Sequence, residues 1–548
     1  MAISSNSFGK LSELIKLERK EISSIYFFAI LNGLVQLSLP LGIQAIIGFV
    51  LGATMVTSVY VLIFFVVLGT LVVGILNIYQ MKIIEKIQQK IFVRYTFNMG
   101  LKIPGFDLLS IDKYYLPDKI NYFFDILTVQ KGISKLLLDI PIATIQIILG
   151  LVLLSFYHPL FIVFGFLLLL ILFLLLRFTS KSGLDTSISE SNHKYTVAAW
   201  LQETGRVIKA FKLNPQTHLN LIKTDNKVLD YLVARTSHFR ILLFQYRSIV
   251  FFKVGITALM LIIGTYLLFN QLLNIGEFVA VELVIITVIG SLEKLIISLE
   301  NIYDVSTGLL KIDSVLNNPS DISGTIKFAA NQDIELKFHE VSFSYEPHNP
   351  VFKQVNFQIS AQSLTGISGE DGSGKTTLLK LISGLYKKFS GFILVNGIPI
   401  QNYDLENYRS HIGVYLQEND LFEGTAYENI SMGRPVEINQ IMSLSKQLGI
   451  DDFINSLPQA FETILDPQGV KLPSTVGKKI LLLRALLSNP SLVILEEPWF
   501  GLEYRSTETI KKYLIELAKF KTVIVATNDI EFLRQCHQNL KIEKGYIQ

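Results

Sequence analysis

Charge is scarce in this chain. Only 17% of its 548 residues are Asp, Glu, Lys or Arg, while half are apolar. That balance argues against a water-soluble enzyme and for membrane insertion. Cysteine is nearly absent: Cys536 stands alone, which excludes an intrachain disulfide and gives no sign of an oxidising compartment. With no second ligand-type residue at metal spacing, Cys536 reads as a packed thiol. A net charge of +3 is too mild for an electrostatic footprint on nucleic acid, so no nucleic-acid partner is expected. Long apolar runs are missing beyond residue 305, so the chain divides into an apolar part and a mixed part.

In the apolar part, stretches long enough to cross a hydrocarbon core of about 30 Å run over 24–50, 57–80, 137–157, 159–178, 248–270 and 276–299, six expected spans. The first is too long for a signal peptide, contains Pro40 and is followed at once by a second span, so it reads as retained. Lys and Arg accumulate at the N-terminal segment (Lys10, Lys16, Arg19, Lys20) and in the long connection after the second span, whereas the connections at 51–56, 158 and 271–275 carry none. The bias places both termini and both long connections in the cytoplasm. Those connections, 81–136 and 179–247, keep helical apolar spacing, as in Met81, Ile84, Ile87 and Ile91, and each is broken near a proline, Pro117 or Pro215. They read as spanning helices continued into the cytosol. Lys253 and Glu282 lie near expected helix ends, where long side chains snorkel to the interface; a role in a substrate path is the alternative.

The mixed part alternates short strands with helices from about residue 333. Here the run Gly369, Glu370, Asp371, Gly372, Ser373, Gly374, Lys375, Thr376 satisfies every fixed position of a phosphate-binding loop, between a strand-like run and a helix-like run starting at Thr377. The glycines let backbone N–H groups crowd a β-phosphate, Lys375 reaches β/γ oxygens and the Thr376 hydroxyl holds Mg²⁺. ATP and Mg²⁺ are therefore the expected ligands. A strand-like run ending in Tyr345 precedes the loop at a distance where an aromatic ring can stack on a base. The buried-strand run 492–495 ends in Glu496 and Glu497, one carboxylate to assist Mg²⁺ and one to orient or deprotonate the attacking water.

Six spans joined to such a domain resemble a half-size ATP-binding cassette (ABC) exporter, and the likeness runs over essentially the whole chain. It is most similar to transporters of the type I secretion group. The resemblance implies an all-α six-helix transmembrane domain followed by an α/β P-loop nucleotide-binding domain, with 1–305, a linker 306–332, and 333–548 as the divisions. It assigns Tyr345 to adenine stacking, residues 369–376 with Thr377 to the nucleotide, and Gln417 to the Q-loop, a metal and catalytic position. Glu496 becomes the Walker B metal carboxylate and Glu497 the catalytic glutamate. The two coupling helices fall at the breaks near Asp112 and Leu213. The family's LSGGQ signature aligns with Leu472, Pro473, Ser474, Thr475 and Val476, where both glycines and the glutamine are lost. Thr527 replaces the γ-phosphate-sensing histidine, and Glu496 replaces the usual aspartate.

The family architecture implies a second half-transporter chain, the same or different, in a lipid bilayer, with a bacterial inner membrane suited to the composition. One expectation is ATP-driven export of an unidentified substrate by a dimer with low intrinsic hydrolysis. The alternative is an ATP-binding, hydrolysis-poor structural or regulatory subunit of a heterodimeric exporter or of a secretion complex with accessory proteins.

Overall fold

The computed structural model describes residues 2–52, 56–329, 332–346, 349–418, 420–466 and 471–548. Its chain divides into two compact units, Met1–Pro104 with Tyr115–Asn318, and Gly105–Tyr114 with Pro319–Gln548.

The first unit is all helical: α1 (Ala2–Leu17), α2 (Arg19–Gln36), α3 (Ser38–Leu51) and α4 (Val56–Lys102) are followed, after the short α5 (Leu108–Ile111) of the second unit, by α6 (Leu116–Ile120) and α7 (Asp125–Tyr157). Then come α8 (Leu160–Arg206), α9 (Ile208–Leu213), α10 (Leu219–Phe269) and α11 (Ile275–Leu316). Six stretches among the described residues are long and apolar enough to cross a membrane, and they cover the six expected spans to within one residue at either end. Pro40 explains the break between α2 and α3: its ring excludes the carbonyl of Gln36, where α2 ends. Asn274 and Glu277 cap α11 reciprocally, each side chain accepting the other's backbone N–H at 2.8 Å.

Helix α11 runs on to Leu316, so the first part of the stretch expected as linker is helix. Tyr303, Val305, Leu309, Ile312 and Val315 are buried along this extension. It lies so close to α7 that a Cβ on Gly132 would stand 2.3 Å from Val305 Cγ2. The breaks expected near Asp112 and Leu213 are present as the turns that carry α5 and α9. From inside α10, Lys253 pairs with Glu293 of α11 at 3.3 Å.

In the second unit, strands β1 (Leu336–Glu346), β2 (Asn349–Ile359), β4 (Ser390–Val395) and β5 (Ile398–Pro399) form one sheet in the order β2-β1-β4-β5. The other sheet orders β12-β11-β3-β10-β9-β6, from β3 (Leu364–Gly369), β6 (Ile412–Tyr415), β9 (Leu492–Glu496), β10 (Thr522–Ala526), β11 (Gln538–Glu543) and β12 (Tyr546–Ile547). Strands β7 (Gly424–Thr425) and β8 (Ile464–Leu465) pair separately. Helices α12 (Lys375–Ile382), α13 (Leu405–Ser410), α14 (Ala426–Ser431), α15 (Ile438–Gln447), α16 (Ser474–Leu486), α17 (Tyr504–Leu517) and α18 (Ile530–Leu533) complete it. All pairings among β11, β3, β10, β9 and β6 are parallel. Strand β9 is buried throughout, with Val493 and Leu495 in one apolar cluster and Leu492 and Ile494 in another. Such a strand is covered on both faces, which explains its uninterrupted apolar sequence.

The 105–114 segment is stitched to the second unit. Backbone bonds join Asp107 N–H to Pro319 O and Asp321 N–H to Gly105 O, each at 2.8 Å. Tyr386 Oη donates to Asp112 Oδ2 and Lys388 Nζ to Asp107 Oδ2, each at 2.7 Å. Burial opposes ionisation of Asp107, yet hydrogen bonds from Lys388 and Ser110 outweigh it and hold the carboxyl below its ordinary range. A depressed folded-state value stabilises the fold above the unfolded value and loses that contribution as pH falls through the folded one. Acid titration below about pH 4 should therefore weaken the second unit, and Asp107→Asn should flatten that part of the stability–pH curve. Thermal melts between pH 3 and 7 check this; superimposable curves for parent and variant would rule it out.

Candidate nucleotide-binding site

Three parallel strands bring the site together. Ala526 of β10 is in register with Ile367 of β3 on one side and Glu496 of β9 on the other. The segments leaving these strands therefore emerge at one sheet edge, the carboxyl edge where open α/β sheets bind ligands.

The loop after β3 turns through Gly372 and Gly374, whose φ values of 79° and 107° favour glycine. At Gly374 space also matters, since a Cβ would stand 2.9 Å from Val351 Cγ1 and 3.0 Å from the Phe352 ring. Lys375 Nζ lies over the loop, donating to the carbonyls of Gly369 at 2.6 Å and Glu370 at 3.1 Å. The Ser373 hydroxyl is buried without a partner among the described residues. A buried hydroxyl inside a turn of backbone N–H groups is suited to a phosphate oxygen.

Thr376, the second residue of α12, donates its hydroxyl to Glu496 Oε1. Glu496 Oε2 accepts the Gln417 N–H at 3.1 Å, while the Gln417 side chain is exposed. The extra methylene of glutamate spans the gap to Thr376. Thr376 and Glu496 thus present hard oxygen donors side by side, with Gln417 adjoining, a set that fits Mg²⁺. Burial first, and the Glu496 charge second, push the neighbouring Tyr415 phenol up to about 12.

Glu497 leaves the sheet in a left-handed conformation, φ 42°, with its N–H on Ala526 O at 2.9 Å. Its carboxylate is held at both oxygens: Thr527 Oγ1 donates at 2.8 Å and Asn528 N–H at 3.1 Å. Thr527 is fully buried, so its hydroxyl serves Glu497. Asn528, which sequence reasoning gave no role, closes the loop by accepting the Gly369 N–H at 3.2 Å. Only the parallel register makes it a neighbour of the phosphate loop, and no local pattern signals that.

Tyr345 is 44% exposed, edge-on to Phe343 and Tyr386 with centroids 5.1 and 5.7 Å away, and its hydroxyl shares a 2.8 Å hydrogen bond with Thr377. The ring is thus fixed while leaving a surface free for stacking. The degenerate segment lies at the start of α16. Leu472 is half-buried, Pro473 occupies the N-cap position, Ser474 is the first helical residue and exposed, Thr475 is half-buried and Val476 is buried. Lys478, one turn on, was not anticipated; it donates to Phe500 O at 2.7 Å and lies 4.8 Å from the Phe500 ring centroid. The start of α16 and the segment after Glu497 are therefore in direct contact.

Residues 352–499 match the model of the ABC transporter family. The chain carries an ABC transporter domain. Among curated proteins it is 29% identical over 345 residues to the alpha-hemolysin translocation ATP-binding protein HlyB of Escherichia coli O157:H7, covering 62% of this chain and 48% of that protein. It is 25% identical over 342 residues to the leukotoxin export ATP-binding protein LtxB of Aggregatibacter actinomycetemcomitans, with the same coverage. The chain thus spans about half the length of the curated relatives it matches. A bacterial Atm1-family ABC exporter solved with ATP bound superposes with a TM-score of 0.85 over 97% of this chain and 95% of that one, at 17% identity. The fold is that of an ABC exporter, a membrane helical domain followed by an α/β ABC domain.

If the exposed face of Tyr345 stacks on the base, Tyr345→Ala should weaken nucleotide binding about fivefold, roughly 1 kcal/mol. Tyr345→Phe should cost less than twofold. Titration with a fluorescent ATP analogue distinguishes them; equal losses would mean that the hydroxyl carries the effect.

Proposed function

We propose that this chain is a half-transporter that pairs with a second half-transporter chain in a bacterial inner membrane and exports a substrate by binding ATP with Mg²⁺. The observation that carries this reading is the convergence of Lys375, Thr376, Glu496 and Glu497 at one sheet edge in a chain with six candidate spans. Mg²⁺, held by Thr376, Glu496 and Gln417, would neutralise charge on the β/γ-phosphates. The loop amides and Lys375 bind and orient the triphosphate, the Ser373 hydroxyl adds a donor, and Glu497 positions the attacking water. A dimer fits two further features. The first residue of α16 is exposed where the family caps a partner's ATP, and the turn carrying α9 leaves Leu213 80% exposed.

The second reading, a chain that binds ATP but hydrolyses it poorly and serves a more complete partner, draws on Thr527 and Asn528. Both already hydrogen-bond to Glu497. Donors already on a carboxylate compete with an attacking water for its lone pairs, and the signature segment lacks its glycines. Loss of one transition-state donor costs a factor of about 10²–10³ in rate.

Mg²⁺-dependent ATP hydrolysis by the purified chain in lipid, alongside nucleotide binding, separates the two. A self-sufficient transporter should show turnover that Lys375→Ala and Glu497→Gln each reduce at least a hundredfold. Binding lost in Lys375→Ala, with no turnover above the Glu497→Gln background, would overturn self-sufficiency and favour the second reading.

A further inference from the structure

Between α10 and α11 of the helical unit lies a cavity of about 430 Å³. Ligand cavities commonly fall in this size range, with apolar walls and a few polar groups. Its walls include Phe239, Leu242, Tyr246 and Ile297, and its charged members are Arg235 and Glu300. Phe239 and Tyr246 are 51% and 47% exposed, leaving ring surface free.

The two charges are not equivalent. Arg235 is already neutralised, its Nη1 donating to both oxygens of Glu190 of α8 at 3.2 and 3.3 Å. Two turns from Glu300 along α11, Glu293 is matched by Lys253. Glu300 itself makes no hydrogen bond or ion pair among the described residues, and neither does Asp304 one turn further on. Arg240 and Arg247 of α10 are exposed but lie outside the cavity lining. The cavity therefore combines exposed aromatic rings with a half-buried carboxylate, Glu300, that Arg235 attracts only from beyond ion-pair distance while its guanidinium is bonded to Glu190.

We propose that this cavity binds a hydrophobic monocation, with Glu300 as its counter-charge and Phe239 and Tyr246 receiving its apolar body. Both contacts select the same sign: a carboxylate attracts a cation, and so does the negative face of an aromatic ring. A neutral apolar molecule would leave Glu300 unmatched, and an anion would be repelled. The inference rests on the export reading, within which the cavity is a cargo site.

Tetraphenylphosphonium tests this against tetraphenylborate, which has the same shape and opposite charge. With the full chain in nanodiscs of zwitterionic lipid, labelled tetraphenylphosphonium should bind saturably, and tetraphenylborate should compete at least tenfold more weakly. Glu300→Gln should weaken phosphonium binding tenfold or more, whereas Glu282→Gln and Lys375→Ala should leave it unchanged. Equal competition by the borate, or unaltered affinity in Glu300→Gln, would overturn the proposal. The borate comparison uses the unmodified chain, so it decides even where a variant fails to fold. ATP binding in the same discs separates the failures: nucleotide binding without phosphonium binding leaves export standing and removes only this cargo class. Phosphonium binding without nucleotide binding upholds the cavity and strikes the export reading.

Discussion

The nucleotide edge depends on the relative register of β3, β10 and β9. Ala526 meets both Ile367 and Glu496, and that alignment produces the Thr376–Glu496 contact, the Thr527–Glu497 contact and the Asn528–Gly369 link. A one-residue slip would reverse every side chain on the shifted strand and carry both carboxylates away from the loop. The alternation of Val493 and Leu495 against Leu492 and Ile494 between two apolar clusters resists that slip, because each face buries its own set. Packing inside the sheet thus fixes polar geometry at its end.

The same constraint explains how the site accommodates its unusual residues. Glutamate at 496 has the reach to meet Thr376 from the end of a buried strand. Threonine at 527 is too short to project over the loop as a histidine would, and its fully buried hydroxyl finds the nearest acceptor, Glu497. Glu497 accepts it from a left-handed backbone position that turns the chain out of the sheet. The substitutions are therefore satisfied within the fold, as buried polar groups must be. Their chemical consequence lies in what they withhold from a triphosphate.

Legibility from sequence tracked the range of the interactions. The phosphate loop was readable because one short segment supplies its turn, ammonium and hydroxyl, and the spans because each is a continuous apolar run. The end of α11 was not, since Asp304, Ser306 and Thr307 interrupt the apolar run, while the buried residues from Tyr303 to Val315 keep helical spacing against α7. A search for continuous runs stops at 305, whereas periodicity would have carried the helix on. Asn528 and the Lys478–Phe500 contact were invisible for a different reason. Their partners are 159 and 22 residues away in sequence, and only the folded sheet brings them near.

The contact between Lys478 and Phe500 also bears on why the signature can diverge. In α16 the lysine donates to the Phe500 carbonyl and lies over its ring, tying the helix start to the segment just after Glu497. Trp499 anchors that segment from the other side, buried against Phe532 with centroids 4.7 Å apart. A cation on an aromatic face plus a charge-assisted hydrogen bond gives the start of α16 and the segment after Glu497 a shared support independent of any nucleotide. Glycines that let a helix end close on a phosphate are then less needed to hold the segment itself, so its sequence can change without loss of the fold. On the proposed reading, such a change weakens catalysis first and ATP binding last, because the binding loop draws on none of these contacts.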